Sequence, residues 1–223
     1  MDVYKFERNS IDVSSGMQYL LDILEPLKGR PSILVVAALG STNQTLEAIS
    51  EAYFSGRKED ALQTFQTLFD WHIDLLRDIP GKDADAAVAH LHEFRTEVEW
   101  LLHDKPVRPF DYYYDQIVCV GALMSSVIFA AAMKHTGFKV LWTDVRDIIR
   151  TDDQFRDARI DAPFTSQQML RLIKPAMAKH DVMVTQGSVG STDENESTTL
   201  GDDGIEKTVS VLASCLDARV KSI

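Results

Sequence analysis

Four short runs of apolar and β-branched residues alternate along the chain with longer stretches of helical periodicity. The runs are Asp2–Phe6, 33–38, 138–143 and Val182–Gln186. The second run opens with uninterrupted apolar residues, as is typical of a strand whose sheet is covered on both faces. Strands that alternate with helices predict an α/β fold, a three-layer sandwich around a mostly parallel sheet.

Apolar residues at helical spacing predict the intervening elements. A first helix is expected after Ser14, whose side chain is a suitable cap, and it should end near Pro26 and Gly29. Further helical patterns cover residues 62–101 and the segment that follows Gly204. Residues 43–112 contain helical patterns without a strand pattern, which predicts a helical subdomain inserted within one domain spanning residues 1–223.

The charge balance restricts the possible partners. The chain has 34 acidic and 23 basic residues, which give a formal net charge of −11. Nucleic acids and anionic membrane surfaces require a basic face on the protein that binds them. We therefore expect no nucleic-acid and no membrane partner.

The charged N-terminus and the cysteine usage predict a cytoplasmic protein. The N-terminus is charged where a signal peptide would be apolar. The uncharged run 117–133 is shorter than the roughly 20 apolar residues of a membrane span, which favours a buried helix. Cys119 and Cys215 lie in apolar stretches without metal-ligand spacing, so we expect reduced thiols and no metal site.

Three loops at predicted strand ends combine small residues with hydroxyls or amides: 7–10, 39–43 and 187–204. Ligands of open parallel sheets bind beyond the carboxyl ends of the strands, which makes these loops candidates for a small polar ligand. Ordinary turn chemistry gives the same composition. Acidic residues at a helix N-terminus, here Asp202, Asp203 and Glu206, also simply favour the helix dipole. The pattern alone leaves both interpretations open.

The same loops resemble the motifs of the aspartokinases, within the amino-acid kinase family. Residues 5–10 (Lys-Phe-Glu-Arg-Asn-Ser) are similar to the family's Lys-Phe-Gly-Gly-Thr-Ser, and residues 40–43 to its Gly and Thr-Asn positions. Residues 115–125 and 144–155 resemble its Asp-x-Ile…Gly-Glu…Ser and Asp-x-Arg-Asp…Thr-Asp segments. Residues 186–201 look like its Gln-Gly-Phe-Ile-Gly…Thr-Thr-Thr-Leu-Gly segment. The five motifs occur in the family's order along most of the chain.

The resemblance implies an amino-acid-kinase-like fold and a set of functional residues. Family members transfer the γ-phosphoryl group of ATP, with Mg²⁺, to the β-carboxylate of aspartate, and their domains commonly pair. The resemblance assigns a catalytic role to Lys5. It assigns substrate binding to these positions: Ser10, Thr42, Asn43, Gly187, Thr198, Thr199, Gly201, Asp202 and Glu206.

The chain departs from the family's pattern where charge matters most. Glu7 and Arg8 replace paired glycines, Ala122 replaces the carboxylate for the amino group of aspartate, and Asp202 replaces an arginine that pairs with the substrate carboxylate. Losing a bidentate Arg–carboxylate contact costs about 2–5 kcal/mol. Family members also continue beyond Ile223 into segments that form most of the nucleotide site, so we expect no cofactor to bind the isolated chain.

Three hypotheses follow. The first is an aspartokinase-like protein that is catalytically impaired and acts as a binding or regulatory relative, with an amino acid as possible ligand. The alternative is an active aspartate kinase completed by altered residues or by a partner chain. A weaker third hypothesis is a sensor for a cation-bearing ligand, with Asp202 and Glu206 as acceptors. We expect a homodimer or a stable heteromer.

Overall fold

A five-stranded parallel sheet forms the centre of the computed structural model, which describes residues 1–6, 24–77, 79 and 81–223. The strand order is β3-β4-β2-β1-β7, and every pairing within this sheet is parallel. A separate antiparallel hairpin pairs β5 with β6. The strands are β1 (Asp2–Phe6), β2 (Ser32–Val36), β3 (Val140–Trp142), β4 (Val182–Gln186), β5 (Val189–Ser191), β6 (Ser197–Thr199) and β7 (Arg219–Ser222).

Helices surround this sheet, and short 3-10 turns at Glu25–Leu27, Val145–Asp147 and Met177–Lys179 connect elements. A π-helical turn, Met169–Ile173, joins α5 to α6. The α-helices are α1 (Thr42–Phe54), α2 (Lys58–Asp74), α3 (Lys82–His103), α4 (Phe110–His135), α5 (Ala162–Gln168), α6 (Lys174–Ala176) and α7 (Gly204–Leu216).

Neighbouring side chains of β1 show that the sheet has a helix on each face. The Phe6 ring packs edge-on against Phe129 of α4, with 4.9 Å between the ring centroids. The Lys5 side chain forms an ion pair with Glu206 of α7. Since successive side chains of a strand point to opposite faces, α4 and α7 lie on opposite sides of the sheet. The predicted three-layer α/β sandwich is confirmed.

Helix α4 occupies the centre of the molecule. By length and composition it is apolar enough to cross a membrane, but 94% of its most apolar window is buried within the protein. A helix that is apolar on all sides and covered by its own chain is typical of a protein core. The uncharged run 117–133 is therefore a core helix, as its sequence predicted.

The described part of residues 43–112 is helical, with α1, α2 and α3 in succession. Its predicted boundary at residue 112 falls inside α4, which begins at Phe110. The helical insertion thus continues without a break into the core helix. Its status as a subdomain of a single domain remains a prediction.

Three strands are absent from the sequence-based assignment. Residues 187–204 were expected to form a polar loop, but they contain the β5–β6 hairpin, whose strands are too short to show an alternating pattern. Strand β7 is exposed at all four positions, so it lacks an apolar pattern too. The helix expected after Ser14 falls largely on residues outside the described ranges; of its continuation, Leu24 is buried.

Candidate functional site

The carboxyl ends of β1, β2 and β4 bring the candidate residues to one edge of the sheet. The Ala37 N–H donates to the Phe6 carbonyl oxygen (3.2 Å), and the Gly187 N–H donates to the Val36 carbonyl oxygen (2.9 Å). The loops that follow β2 and β4 therefore start side by side. The loop 7–10, with the predicted site residue Ser10, lies outside the described residues.

Lys5 and Glu206 meet at this edge. The Lys5 Nζ lies 2.7 Å from the Glu206 Oε1, and the side chains are 16% and 50% exposed. The hydrogen bond from Lys5 holds the pKa of the Glu206 carboxyl below its usual value. Two predicted site residues that are far apart in sequence are thus joined, and the ammonium is partly neutralised before any ligand binds.

Close packing at two glycines sets the position of α7 over the end of β4. A Cβ at Gly187 would lie 2.7 Å from the Ile205 Cγ1, and a Cβ at Gly204 would lie 2.8 Å from the Ser188 side chain. The Ser188 N–H also donates to the Thr208 hydroxyl oxygen at 3.0 Å. The first turn of α7, with Glu206, is therefore held directly against the loop after β4.

A tight turn precedes α7. Gly201 has a φ of +78°, in the region that favours glycine, and a Cβ there would lie 2.6 Å from the Asp157 Oδ1. Asp202 and Asp203 follow in the turn and are exposed to solvent. Both carboxylates and Glu206 thus belong to one acidic turn at the candidate site.

Thr198 and Thr199 use their side chains within the protein. The Thr198 hydroxyl lies 2.8 Å from the Thr151 hydroxyl, and both residues are buried. The Thr199 hydroxyl donates to the Asp115 Oδ1 at 2.5 Å, and the Thr199 N–H donates to the Asp115 Oδ2 at 2.8 Å. These contacts position β6; a substrate-binding role for the two threonines remains a prediction.

Asp115 is the buried carboxyl group beneath this region. Its Oδ2 also accepts a hydrogen bond from the Arg156 N–H at 3.0 Å. Burial raises the pKa of Asp115 to about 6, although the bonds from Thr199 and Arg156 oppose the rise. Asp115 could be recognised from the sequence only as part of a motif. Its hydrogen bonds to Thr199 of β6 join residues more than 80 positions apart.

The loop between β2 and α1 lies between two helices. On one side, the Leu39 N–H donates to the Ser125 Oγ of α4 at 2.9 Å. A Cβ at Gly121 would lie 2.9 Å from the Thr42 Cγ2 and 3.1 Å from the Asn43 Oδ1, so α4 approaches the start of α1 closely. On the other side, a Cβ at Gly40 would lie 3.6 Å from the Trp71 ring of α2.

His72 anchors Thr42 from the α2 side. Its Nδ1 lies 2.8 Å from the Leu68 carbonyl oxygen, which requires an N–H at this position. Burial lowers the pKa of His72 to about 4, so the ring is neutral and its Nε2 accepts from the Thr42 hydroxyl at 3.4 Å. This histidine could not be recognised from the sequence, because it is one of six that are scattered along the chain.

The charge at the site does not favour a triphosphate. Within the described ranges, no group of three or more His, Cys, Asp or Glu residues is arranged to hold a metal ion. Lys5 is engaged by Glu206, and the adjacent turn contributes Asp202 and Asp203. Ala122, at the position where the resemblance implies a carboxylate, is buried among apolar residues.

Comparisons with known proteins agree with the geometry. The family model described as "Amino acid kinase family" matches residues 3–221. Lysine-sensitive aspartokinase 3 of Escherichia coli is 26% identical over 223 residues, which cover 97% of this chain and 46% of that protein. Aspartokinase 1 of Bacillus subtilis is 29% identical over 105 residues, or 47% of this chain and 25% of that protein.

Solved structures show the same fold. Aspartokinase III of E. coli in complex with aspartate and ADP superposes with a TM-score of 0.82 at 23% identity, covering 100% of this chain and 48% of that one. Aspartate kinase of Clostridium acetobutylicum gives a TM-score of 0.71 at 15% identity, covering 100% of this chain and 47% of that one. The chain thus spans about half of these relatives. It belongs to the amino acid kinase family and is an aspartokinase-like protein.

Proposed function

We propose that this chain is a binding or regulatory relative of the aspartokinases that does not phosphorylate aspartate by itself. The observation that supports this most directly is the sign of the charge in the turn before α7. Asp202 stands exposed where the resemblance implies a substrate-binding arginine, and Asp203 is exposed beside it. Because the reaction joins two anions, an acidic turn at this point opposes both of them.

Coulomb's law gives the size of the effect. A carboxylate about 5 Å from a substrate charge raises the free energy of the complex by about 3 kcal/mol at an effective dielectric of about 20. The ammonium of Lys5 is partly neutralised by Glu206 at 2.7 Å, so it offsets only part of this repulsion. Replacing the arginine by Asp202 therefore both removes an attraction and adds a repulsion.

Ala122 supports the same conclusion for the amino group of aspartate. The resemblance implies a carboxylate here, whereas the alanine is 6% exposed and packs within the apolar core. An ammonium group brought to this position would lose water without gaining a charged partner, which is unfavourable. We infer that the free amino acid aspartate binds weakly.

The alternative is an active aspartate kinase completed by a partner chain or by altered residues. The Lys5–Glu206 ion pair favours it, because the pair fixes an ammonium at the carboxyl end of β1, where the family's catalytic lysine is expected. Aspartokinase III of E. coli has been solved with aspartate and ADP, and this chain shares its fold.

We further propose a cytoplasmic protein, since Cys119 and Cys215 are both free thiols.

An assay of aspartate-dependent ADP release with Mg²⁺ and ATP separates the two proposals. We expect no turnover by the chain, while aspartokinase 3 of E. coli serves as the positive control. Turnover on the order of 1 s⁻¹, which is ordinary for enzymes, would contradict impairment. The matched variant Lys5→Ala then decides whether any activity belongs to this site, because a contaminating kinase would not respond to it.

A further inference from the structure

A cavity of about 500 Å³ opens between α1 and α2, on the α2 side of the loop 39–43. This volume lies within the range of about 300–1,000 Å³ that is usual for small-molecule sites. Six of its eight lining residues carry a hydroxyl or amide group, and the other two are Leu68 and Trp71. The polar residues are Ser41, Thr42, Thr45, Gln63, Thr64 and Thr67.

Three of the hydroxyl groups donate hydrogen bonds within the protein. Thr42 donates to His72 Nε2, which is a neutral acceptor. Thr45 donates to the Ser41 carbonyl oxygen, and Thr67 donates to the Gln63 carbonyl oxygen, both at 3.1 Å. A hydroxyl group that donates internally retains lone pairs, so Thr45 and Thr67 present acceptors to the cavity, whereas Thr42 is buried. A matching ligand must supply several hydrogen-bond donors.

The charge of the wall restricts the ligand further. None of the described residues that line the cavity is ionisable. An ammonium group would lose hydration here without meeting an opposite charge, and a carboxylate or phosphate would meet only the partial positive charge at the N-terminus of α1. Trp71 adds a flat apolar surface, of the kind on which a ring stacks.

We propose that this cavity is a binding site for a neutral, polyhydroxylated small molecule of monosaccharide size. Its hydroxyl groups donate to Thr45 and Thr67, and its apolar face packs on the Trp71 indole. The inference does not rest on the proposed function, because it is argued from Thr45, Thr67 and Trp71, none of which the resemblance assigns to substrate binding. It is independent of whether aspartate or ATP binds at the sheet edge.

Isothermal titration of the full chain with D-glucose, D-ribose and myo-inositol tests the proposal. We expect saturable binding of at least one probe in the millimolar range, which corresponds to about −4 kcal/mol at 1 mM. Aspartate, lysine and inorganic phosphate form the charged arm. Tighter binding of a charged probe at this cavity, or no saturable binding of any neutral probe, would overturn the proposal.

Two variants locate the binding. Thr67→Val removes one acceptor and should weaken the neutral probe by about threefold to tenfold, as the loss of one hydrogen bond predicts. The matched control is Thr96→Val on α3, since Thr96 is exposed and bonds the carbonyl oxygen four residues before it, as Thr67 does. Trp71→Leu should abolish measurable binding.

Both threonines lie on exposed helix surfaces, so the Thr67 variant remains informative if Trp71→Leu does not fold. Equal affinity of Thr67→Val and Thr96→Val would place the ligand elsewhere and refute the assignment. Loss of affinity in Thr67→Val alone would support it.

Discussion

At the scale of single residues, the Asp115 carboxylate joins three segments beneath the candidate site. It accepts hydrogen bonds from the Thr199 N–H, the Thr199 hydroxyl and the Arg156 N–H while it is itself fully buried. Burial disfavours its charge, so its pKa rises to about 6 from the usual 3.8. The folded protein therefore binds a proton at Asp115 more tightly than the unfolded chain does.

The expected consequence is a pH-dependent stability that Asp115→Asn removes. Since the folded-state pKa lies above the unfolded one, this group's contribution to the free energy of unfolding increases as the pH falls from about 6 to about 4. At pH 7 the buried charge is unfavourable by about 3 kcal/mol. An asparagine amide keeps all three contacts, because its oxygen accepts both N–H groups and its NH₂ donates to the Thr199 hydroxyl. We expect Asp115→Asn to be more stable at pH 7 by about 1–2 kcal/mol in urea unfolding.

The control for this prediction is Asp111→Asn on the same helix, whose side chain is 55% exposed and pairs only loosely with Arg156. It should change stability by less than about 0.5 kcal/mol at pH 7. A destabilised Asp115→Asn protein at pH 7 would show that the bonds from Thr199 and Arg156 outweigh the cost of the buried charge.

The titration of His72 changes the pH dependence of stability in the opposite direction. Its pKa falls to about 4 from 6.5, so its contribution to stability is complete above pH 6.5 and decreases as the pH falls to about 4. In the native sequence the two groups partly cancel between pH 4 and 6. Asp115→Asn should therefore lose stability more steeply on acidification than the native protein does.

Residue-level chemistry was only partly predictable. The sequence placed Lys5 at a strand end and Glu206 at a helix start, and the structure brings the two together. It could not show that Thr198 and Thr199 have internal partners, because Thr151 and Asp115 are distant in sequence. Buried polar networks depend on which segments the topology joins, and local pattern does not contain that information.

At the scale of elements, Gly187 determines how closely α7 packs on the sheet. A Cβ there would lie 2.7 Å from the Ile205 Cγ1 and 3.2 Å from the Val35 Cγ1, so one of these side chains must move. We expect Gly187→Ala to lower the free energy of unfolding by about 1–3 kcal/mol, as overpacking generally does. Thermal or urea unfolding measures this.

The double variant Gly187→Ala/Ile205→Ala provides the control. Ile205→Ala removes the atoms that collide with the new methyl group, so the double variant should be less destabilised than the sum of the two single ones. Strict additivity would mean that the backbone, rather than the Ile205 side chain, absorbs the strain.

Elements differed in how well the sequence predicted them. Long amphipathic helices such as α2 and α3 were evident from spacing, as was the buried strand β2. Strand β7 could not be recognised, because its exposed residues Arg219, Val220, Lys221 and Ser222 carry no apolar alternation. Its position is determined by pairing with β1, which the local sequence does not encode.

At the scale of the whole molecule, the exposed apolar side chains are the structural reason to expect a dimer. The apolar circumference of α4 is covered by the chain's own elements, so it requires no partner. Large apolar side chains remain exposed elsewhere, notably Trp100 at 76% and Val107 at 88%. Aromatic residues are enriched at the centres of protein interfaces, so Trp100 is the residue to test.

We expect a homodimer at micromolar concentration, with a mass by light scattering near twice the 25.0 kDa of the chain. The net charge of −11 does not prevent this, because salt screens it within about 8 Å. Trp100→Glu should shift the protein towards monomer, whereas Leu170→Glu, at a residue that is 47% exposed on another element, should not. A native protein that elutes as a monomer would contradict this expectation.

The pairing of β1 with β7 has a consequence for the order of folding. The side chains of Asp2 and Arg219, which pair across these strands, lie 217 positions apart, and Lys5 meets Glu206 across 201 positions. Closing so long a loop must wait until the chain that contains β7 has left the ribosome, and contacts of this range slow folding. One edge of β1 therefore stays open until β7 has been synthesised. The Lys5–Glu206 contact of the candidate site forms only after residue 206 has been synthesised, so a shorter nascent chain has an incomplete site.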